Sequence, residues 1–453
     1  MSATLGFHGG VGSVTGANFL LDTGTAALLV DCGLIQGERF EADVNAEPFV
    51  YDPGNIDALL VTHAHADHIG RIPKLMKEGF AGTIYSTHPT KALAEVMLRD
   101  ALGIMQYEAK RYGTPLLYSE GHIDAALARW ETVGYDEPVG LPDALTATFS
   151  DAGHILGSAM VTIERAGRRI VFTGDIGNVP QPLLAPPTVP TDYHYLVMES
   201  VYGDRLHEGV SERSAKLRYY IEKTVAKNGT LIIPAFSLER TQALLSEINR
   251  FVEHEGLSSL PVFLDSPLAI EVTELYRTYR HFLSGAIQEQ FARGDDVFDF
   301  PGLSLTRSRD ASAAIAAEPG AKIIIAGSGM SHGGRIRDHE RRCLGDPDTT
   351  LLLVGYQTVG SLGRRLQDGA TRVSIDGEDV DVRAEVARLQ GYSGHADRDQ
   401  LLDLVARGGE QAEQVFVTMG EERASLFLTQ RLRDHLGLAA VAPSPHEEVE
   451  IDL

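Results

Sequence analysis

Four side chains that can ligate a metal fall within six residues, in His63-Ala64-His65-Ala66-Asp67-His68. An isolated histidine is usually a satisfied core or surface residue. Four ligand-type groups this dense would be costly to bury for structural reasons alone, and the logic of short ligand motifs favours an ion. Nitrogen and oxygen donors suit zinc first and manganese second. Two more ligand types stand just past predicted strands, His154 in Asp151-Ala152-Gly153-His154 and Asp175 in Gly174-Asp175. Taken singly, a strand-end His or Asp is more often a loop residue. Taken with the dense motif, they supply a third nitrogen for a first ion and a carboxylate able to bridge two. Asp31 ends another apolar strand, where it is either a turn former or a support for nearby ligands.

These groups need strands to carry them. Asp57 to Val61 is an apolar run that reads as a buried strand, and in extended backbone residues two apart point the same way, so His63 and His65 share a face. Gly70 and Pro73 bracket a helix start, which puts Asp67 and His68 in the turn between strand and helix. Thr4 to His8 reads as a strand, followed by a glycine-rich loop, Gly9 to Gly16, whose backbone can approach a neighbour closely. Asn18 to Asp22 and Ala26 to Asp31 form a hairpin across Thr23-Gly24-Thr25. Thr83 to Thr87 is a strand and Thr90 to Ala109 a helix. Leu145 to Phe149 and Arg169 to Thr173 are the strands that deliver His154 and Asp175.

Beyond residue 205 strand and helix alternate. Ser211 to Asn228 is a helix, with Leu217, Tyr220, Ile221, Thr224 and Val225 on one face and Gly229 as its stop. The strands Thr230 to Pro234, Pro261 to Leu264 and Ala321 to Ala326 alternate with helices at Glu239 to Val252 and Pro267 to Tyr279. This pattern implies a parallel, doubly wound sheet. Leu351 to Tyr356 is a further strand, after which the chain is expected to leave this region near Gly355. Two loops at strand ends, one carrying Ser237 and Arg240 and one running Gly327-Ser328-Gly329-Met330, lie where backbone amides suit an anion. Their bland alternative is tight turns with solvated arginines.

At 453 residues the chain suggests two or three domains, and 43% hydrophobic residues leave ample core material. The first Lys or Arg is Arg39, so no basic n-region of a signal peptide is present, and no apolar run approaches the roughly 18 residues that span a bilayer. The expected location is the cytoplasm, with no membrane partner. Cys32 and Cys343 are too few for a disulfide framework and lack zinc-ribbon spacing. A formal net charge of −23 speaks against wholesale electrostatic attraction to nucleic acid, so only a local basic groove could bind it.

The order Asp31, His63-x-His65-x-Asp67-His68, His154, Asp175 resembles the four ordered motifs of the metallo-β-lactamase fold, an αββα sandwich with a dinuclear site at the edge of two sheets. The phrases Asp151-Ala152-Gly153-His154-Ile155-Leu156-Gly157-Ser158 and Glu199-Ser200-Val201-Tyr202-Gly203-Asp204 narrow the resemblance to the β-CASP nucleases. That branch includes bacterial RNase J and the endonuclease subunit of the eukaryotic pre-mRNA cleavage machinery. The resemblance runs along nearly the whole chain, and it is closest to the short bacterial RNA-processing type.

It implies an α/β protein in which a metallo-β-lactamase domain, residues 1–204 and 355–453, is interrupted by a parallel α/β β-CASP domain at 205–354 that forms a lid over the active site. His63, His65 and His154 would hold the first ion. Asp67, His68 and a bridging Asp175 would hold the second. Asp67, Asp175, His395, Glu199 and Asp31 form the catalytic set, Glu199 being the acidic motif A and His395, in Gln390-Gly391-Tyr392-Ser393-Gly394-His395-Ala396-Asp397, the motif B proton donor that it orients. Asp397 is also a plausible helix N-cap. Ser237, Arg240, Gly327, Ser328, Gly329 and Met330 would hold the nucleic-acid backbone. The implied activity is hydrolysis of RNA phosphodiester bonds, endonucleolytic, 5′-exonucleolytic or both, on single-stranded RNA, and a homodimer is left open.

One position departs from the pattern. Val415-Phe416-Val417-Thr418-Met419-Gly420 aligns with motif C, where RNA-processing members carry a histidine ligand and this chain carries Met419. A thioether is a soft, neutral ligand ill suited to zinc or manganese among carboxylates, so two ions are expected with the second weak. Two alternatives remain: a DNA nuclease of the same fold, and an RNA-binding protein whose catalysis is weakened by Met419.

Overall fold

Strands rich in apolar residues stack into layers, and the described residues form three large sheets and one two-stranded sheet. The computed structural model describes residues 2–37, 41–207, 209–355, 357–358, 360–389 and 391–453; Arg39, Tyr356 and Gln390 lie outside them. The chain divides into two compact units, Met1–Leu206 with His395–Leu453, and His207–Gly394.

The first unit holds two seven-stranded sheets. One runs in the spatial order Glu448–Asp452, Ser2–Gly9, Asn18–Asp22, Ala27–Val30, Ala58–Leu60, Thr83–Thr87 and Trp130–Val133. The other runs Ala440–Val441, Gln414–Val417, Tyr195–Met198, Arg168–Phe172, Ala159–Arg165, Thr146–Asp151 and Val139–Gly140. Their inner faces share one core in which Leu5, Phe7, Leu28 and Leu60 meet Phe149, Ile163, Phe172 and Phe416. The rings of Phe7 and Phe416 lie 5.2 Å apart across the gap between the sheets. The second sheet buries its other face under the helices Arg398–Gly408 and Glu422–Leu436, through Leu196, Met198, Leu401, Leu404, Leu428 and Leu432. This is the αββα sandwich. The predicted hairpin forms with Asp22 opposite Ala27, so the chain leaves Val30 directly into Asp31.

The second unit is wound around a six-stranded sheet in the order Leu303–Leu305, Val262–Leu264, Lys322–Ala326, Thr230–Pro234, Thr350–Val354 and Glu385–Leu389, with every pairing parallel. The predicted alternation of strand and helix therefore closes into a doubly wound sheet. Three expectations change. The chain does not leave this unit near Gly355, because Glu385–Leu389 pairs along the whole of Thr350–Val354 and satisfies the edge that an early exit would strand. Asn228, in the left-handed conformation, caps the helix Val210–Lys227, where Gly229 was expected. Val225 on that helix is exposed rather than on its buried face.

Candidate active site

The histidine motif begins three residues past the end of the strand Ala58–Leu60. Asp67 and His68 do not lie in a turn: Ala66–Ile69 is a one-turn helix with His65 at its N-cap. The Cys32–Leu34 segment holds that helix, since Cys32 N donates to His68 O and Leu34 N to Ala66 O. A side chain at Gly33 would collide with the Asp67 carbonyl, its Cβ 1.5 Å from that oxygen, so only glycine permits the approach. Asp31, at φ 59°, turns its carboxylate back under the motif. It accepts from Thr62 N at 2.8 Å, Thr62 Oγ1 at 2.7 Å and His68 Nδ1 at 2.7 Å. Asp31 thus fixes the His68 ring and leaves Nε2 facing the other way.

Among the described residues that nitrogen, which is buried, has no hydrogen-bond partner, and neither does Oδ1 of Asp175, 3.4 Å from it. Beside them His63 Nε2, His65 Nδ1, His154 Nε2 and a carboxylate oxygen of Asp175 converge within 4.8 Å of one another. The separations are 3.1 Å for His63 to His65, 3.3 Å for His154 to His65, and 3.4 Å from Asp175 Oδ2 to each of His63 and His154. Donor atoms at ligand bonds of roughly 2.0–2.2 Å in a tetrahedron stand roughly 3.3–3.5 Å apart, so the set fits a divalent cation. Burial first, and then the neighbouring histidines, hold the pKa values of His63 and His65 down, which keeps them neutral and able to ligate. Burial works against ionising Asp175, but His68, His395 and His63 outweigh it and hold the carboxyl well below its usual range.

The group around His68 is thinner. Asp67 Oδ2 lies 3.9 Å from His68 Nε2, and among the described residues these two with Asp175 do not close into a set as tight as the first. Met419 does not complete it with an obvious ligand contact: its side chain belongs to the apolar core between the sheets, packs against Gly10, and shares a small enclosed space with Asp31, His68 and Glu199. His446 is not in the cluster either; its ring lies 6.0 Å from that of His8.

On the other side of Asp175 stands a second set, Asp175, Glu199 and His395. Glu199 is buried, and its Oε1 accepts from Ile176 N at 2.6 Å. His395 Nδ1 lies 3.2 Å from each oxygen of Glu199 and 3.9 Å from Asp175 Oδ2. Burial disfavours the imidazolium, but Glu199 and then Asp175 override it and raise the His395 pKa to about 9. A backbone bridge between Gly177 and His395 and the bond from Ala396 N to Ile176 O tie this histidine to the Asp175 loop. Asp397 caps the following helix, accepting from Asp399 N and Gln400 N. The rings of His154 and His395 are 4.6 Å apart. Asp31, His63, His65, Asp67, His68, His154, Asp175, Glu199 and His395 therefore gather at one edge of the first unit. Thr62, which orders Asp31 and also lies 3.1 Å from His63 Nδ1, was missed; a threonine beside a histidine carries no sequence signal of that role.

In the second unit the two anion-type loops are neighbours. A Cβ on Gly327 would sit 3.6 Å from Ser237 Oγ, and one on Gly329 would meet the Phe236 ring. Ser328 Oγ accepts from His332 N and Gly333 N, rounding the loop, and Gly363 N donates to Met330 O. Arg240 is anchored by Nε to Tyr392 O at 3.2 Å and by Nη1 to Val354 O at 3.0 Å, so part of its donor capacity holds strand ends of its own unit.

Family models for the metallo-beta-lactamase superfamily, the Beta-Casp domain and the Zn-dependent metallo-hydrolase RNA specificity domain match residues 12–203, 241–366 and 379–443 respectively. Ribonuclease TTHA0252 of Thermus thermophilus is 38% identical, with 94% of each chain covered. An RNase J-like protein of Methanocaldococcus jannaschii is 30% identical over 97% of each chain. Transcription termination factor FttA of Methanosarcina mazei is 30% identical over 98% of this chain and 71% of its own length. A solved structure of a protein of unknown function from Enterococcus faecalis shares the fold, with a TM-score of 0.58, 12% identity and full coverage of both chains. No helix among the described residues is long and apolar enough to cross a membrane.

Proposed function

The chain belongs to the β-CASP branch of the metallo-β-lactamase superfamily, and we propose that it is a metal-dependent ribonuclease hydrolysing phosphodiester bonds of single-stranded RNA. The observation that carries the reading is the convergence of His63, His65, His154 and Asp175 beside the charged pair of His395 and Glu199. These are the two parts that phosphodiester hydrolysis needs, a cation site and a proton source.

Zinc suits the first donor set, with manganese as the alternative. A second ion would rest on Asp67, His68 and Asp175, and more weakly, because Met419 offers no imidazole. Ions held there would supply Lewis-acid activation of water and charge neutralisation at the phosphoryl group. The remaining work falls to the side chains. Asp31 locks His68 through Nδ1, and Thr62 locks Asp31. Glu199 and Asp175 keep His395 protonated, so it can give a proton to the leaving oxygen as the bond to phosphorus breaks. As that proton leaves, the carboxylates that favoured the imidazolium favour its return, which resets the acid. Ser237, Arg240 and the Gly327–Met330 loop are proposed to hold the RNA backbone.

The test is digestion of end-labelled RNA and DNA of one sequence by metal-reconstituted protein. Cleavage of RNA that requires the 2′-hydroxyl or strongly prefers it is expected. Equal cleavage of DNA would move the assignment to a DNA nuclease, and tight RNA binding without cleavage at full metal loading would leave a binding protein.

A further inference from the structure

A cavity of about 250 Å³ opens in the first unit behind the glycine-rich loop, where no role has been assigned. Its walls include His8, Phe49, Tyr51, Arg71 and His446. Arg71 is buried, and its Nη2 has no hydrogen-bond partner among the described residues. Its Nε is held by Gly33 O at 2.5 Å, and its guanidinium lies 5.3 Å from the centre of the Phe49 ring. No ion pair to Arg71 is found among the described residues. Both ring nitrogens of His8 are buried and have no partner among the described residues. Burial and the neighbouring His446 lower the His8 pKa to about 4, so near neutrality one nitrogen donates and the other accepts. Phe49 and Tyr51 stack at 5.3 Å, and Tyr51 Oη donates to Asn18 Oδ1.

A buried cation with one unpartnered nitrogen and two unpartnered ring nitrogens are costly in a cavity, even one that Ser13, Thr15 and Glu47 also line, unless a ligand completes them. The requirements are distinct: an anion for Arg71, a mixed donor and acceptor for His8, and a flat apolar body for the aromatic wall. The volume admits a small ligand. We propose that this cavity binds one nucleotide, an aromatic heterocycle carrying a phosphate. Choosing a nucleotide over other aromatic anions rests on the ribonuclease reading. Gly10 lines the cavity and packs against Met419, which faces the space beside His68, and Asn18 Nδ2 donates to Asp31 O. A ligand here would therefore press on the residues that back the thinner half of the metal cluster.

The test is calorimetric titration of adenosine monophosphate, adenosine and inorganic phosphate into the full-length, metal-loaded protein. The monophosphate should saturate one site and bind more tightly than either fragment. Arg71→Met should weaken it about tenfold or more, the cost of one charge-assisted contact. Should that variant unfold, Val50→Glu serves instead, since Val50 is 63% exposed on the cavity wall and a carboxylate there repels the phosphate; a several-fold loss is expected. Absence of saturable binding, or equal binding in Val50→Glu and the unaltered chain, overturns the proposal. A short oligoadenylate that displaces the bound monophosphate identifies a nucleotide of the RNA chain; one that binds alongside it identifies a free mononucleotide. Neither arm reads hydrolysis, so a protein that binds the monophosphate here but cuts no RNA would sink the ribonuclease reading by itself.

Discussion

Each unit buries an aspartate with histidine beside it, one histidine at Asp265 and several at Asp175, and the two clusters are satisfied in opposite ways. In the second unit Asp265 is fully buried and accepts from Ser312 Oγ at 2.5 Å, Arg335 Nη1 at 2.6 Å and His339 Nε2 at 2.7 Å. Every one of those partners brings a proton. In the first unit Asp175 faces nitrogens at 3.4 Å, one of its oxygens is unpartnered, and so is the His68 nitrogen opposite. Close donors satisfy a buried carboxylate outright, whereas histidine nitrogens held off at 3.4 Å around one, with atoms left unpartnered, leave room for a cation. The surroundings differ: Ser312, Arg335 and His339 satisfy Asp265, whereas the nitrogens around Asp175 leave unpartnered atoms on both sides, as a metal site would. Glu340 shows a third solution. It is buried, Ser331 Oγ donates to one oxygen, the other is unpartnered, and burial pushes its pKa up to about 8, so it keeps its own proton.

The largest effect should come from breaking the lone-pair cluster. His63→Ala should empty the first metal position and reduce RNA hydrolysis by more than about a hundredfold, beyond the 10–100-fold typical of losing a mere supporting partner. Elemental analysis showing unchanged metal per chain would remove His63 from the ligand set. Asp265→Ala should do the reverse, leaving metal content alone while destabilising the fold by about 3–5 kcal/mol, because Arg335 and His339 lose their shared carboxylate. Chemical denaturation reads the first quantity and metal analysis the second; a loss of bound metal would erase the distinction between the clusters.

Glu340→Gln tests the protonated case. A carboxyl whose folded pKa is raised contributes stability that is present below its unfolded value near 4.5 and is lost as pH rises through about 8. The unaltered protein should lose on the order of 2–3 kcal/mol between pH 6 and 9 from this group, and the variant should lose less. Parallel stability profiles for the two proteins would show that Glu340 titrates normally. The smallest effect is expected from Met419→His. An added imidazole beside His68 should tighten the second ion by about tenfold, by analogy with the cost of removing a supporting ligand, seen as more zinc retained after dialysis. The apolar neighbours of Met419 oppose the change, so identical retention would mean that the imidazole cannot reach the ion.

The residues that cluster were legible because His63, His154 and Asp175 stand a few residues beyond a strand end, with Asp67 and His68 on the short helix that follows, and an apolar strand is the strongest local signal a sequence carries. The same signal gave Thr230–Pro234 and the parallel sheet of the second unit. It failed for Glu385–Leu389, whose mixed residues Glu-Val-Ala-Arg-Leu do not advertise a strand; the neighbouring edge of Thr350–Val354 decides that pairing, and with it the return of the chain at His395 and not near Gly355. Arg240 read as a phosphate contact, yet its anchors, Val354 and Tyr392, are set by long-range packing.

By itself the sequence determined which side chains can ligate, accept and donate, since residue type and strand-end spacing are local properties. Tertiary structure alone decided which lone pairs face one another: that Asp31 spends itself on His68 and Thr62, that Asp175 is met by nitrogens where Asp265 is met by protons, and that Met419 packs into the sandwich core. Those outcomes depend on contacts between residues tens to hundreds of positions apart, and no local pattern encodes the distance at which two such groups come to rest.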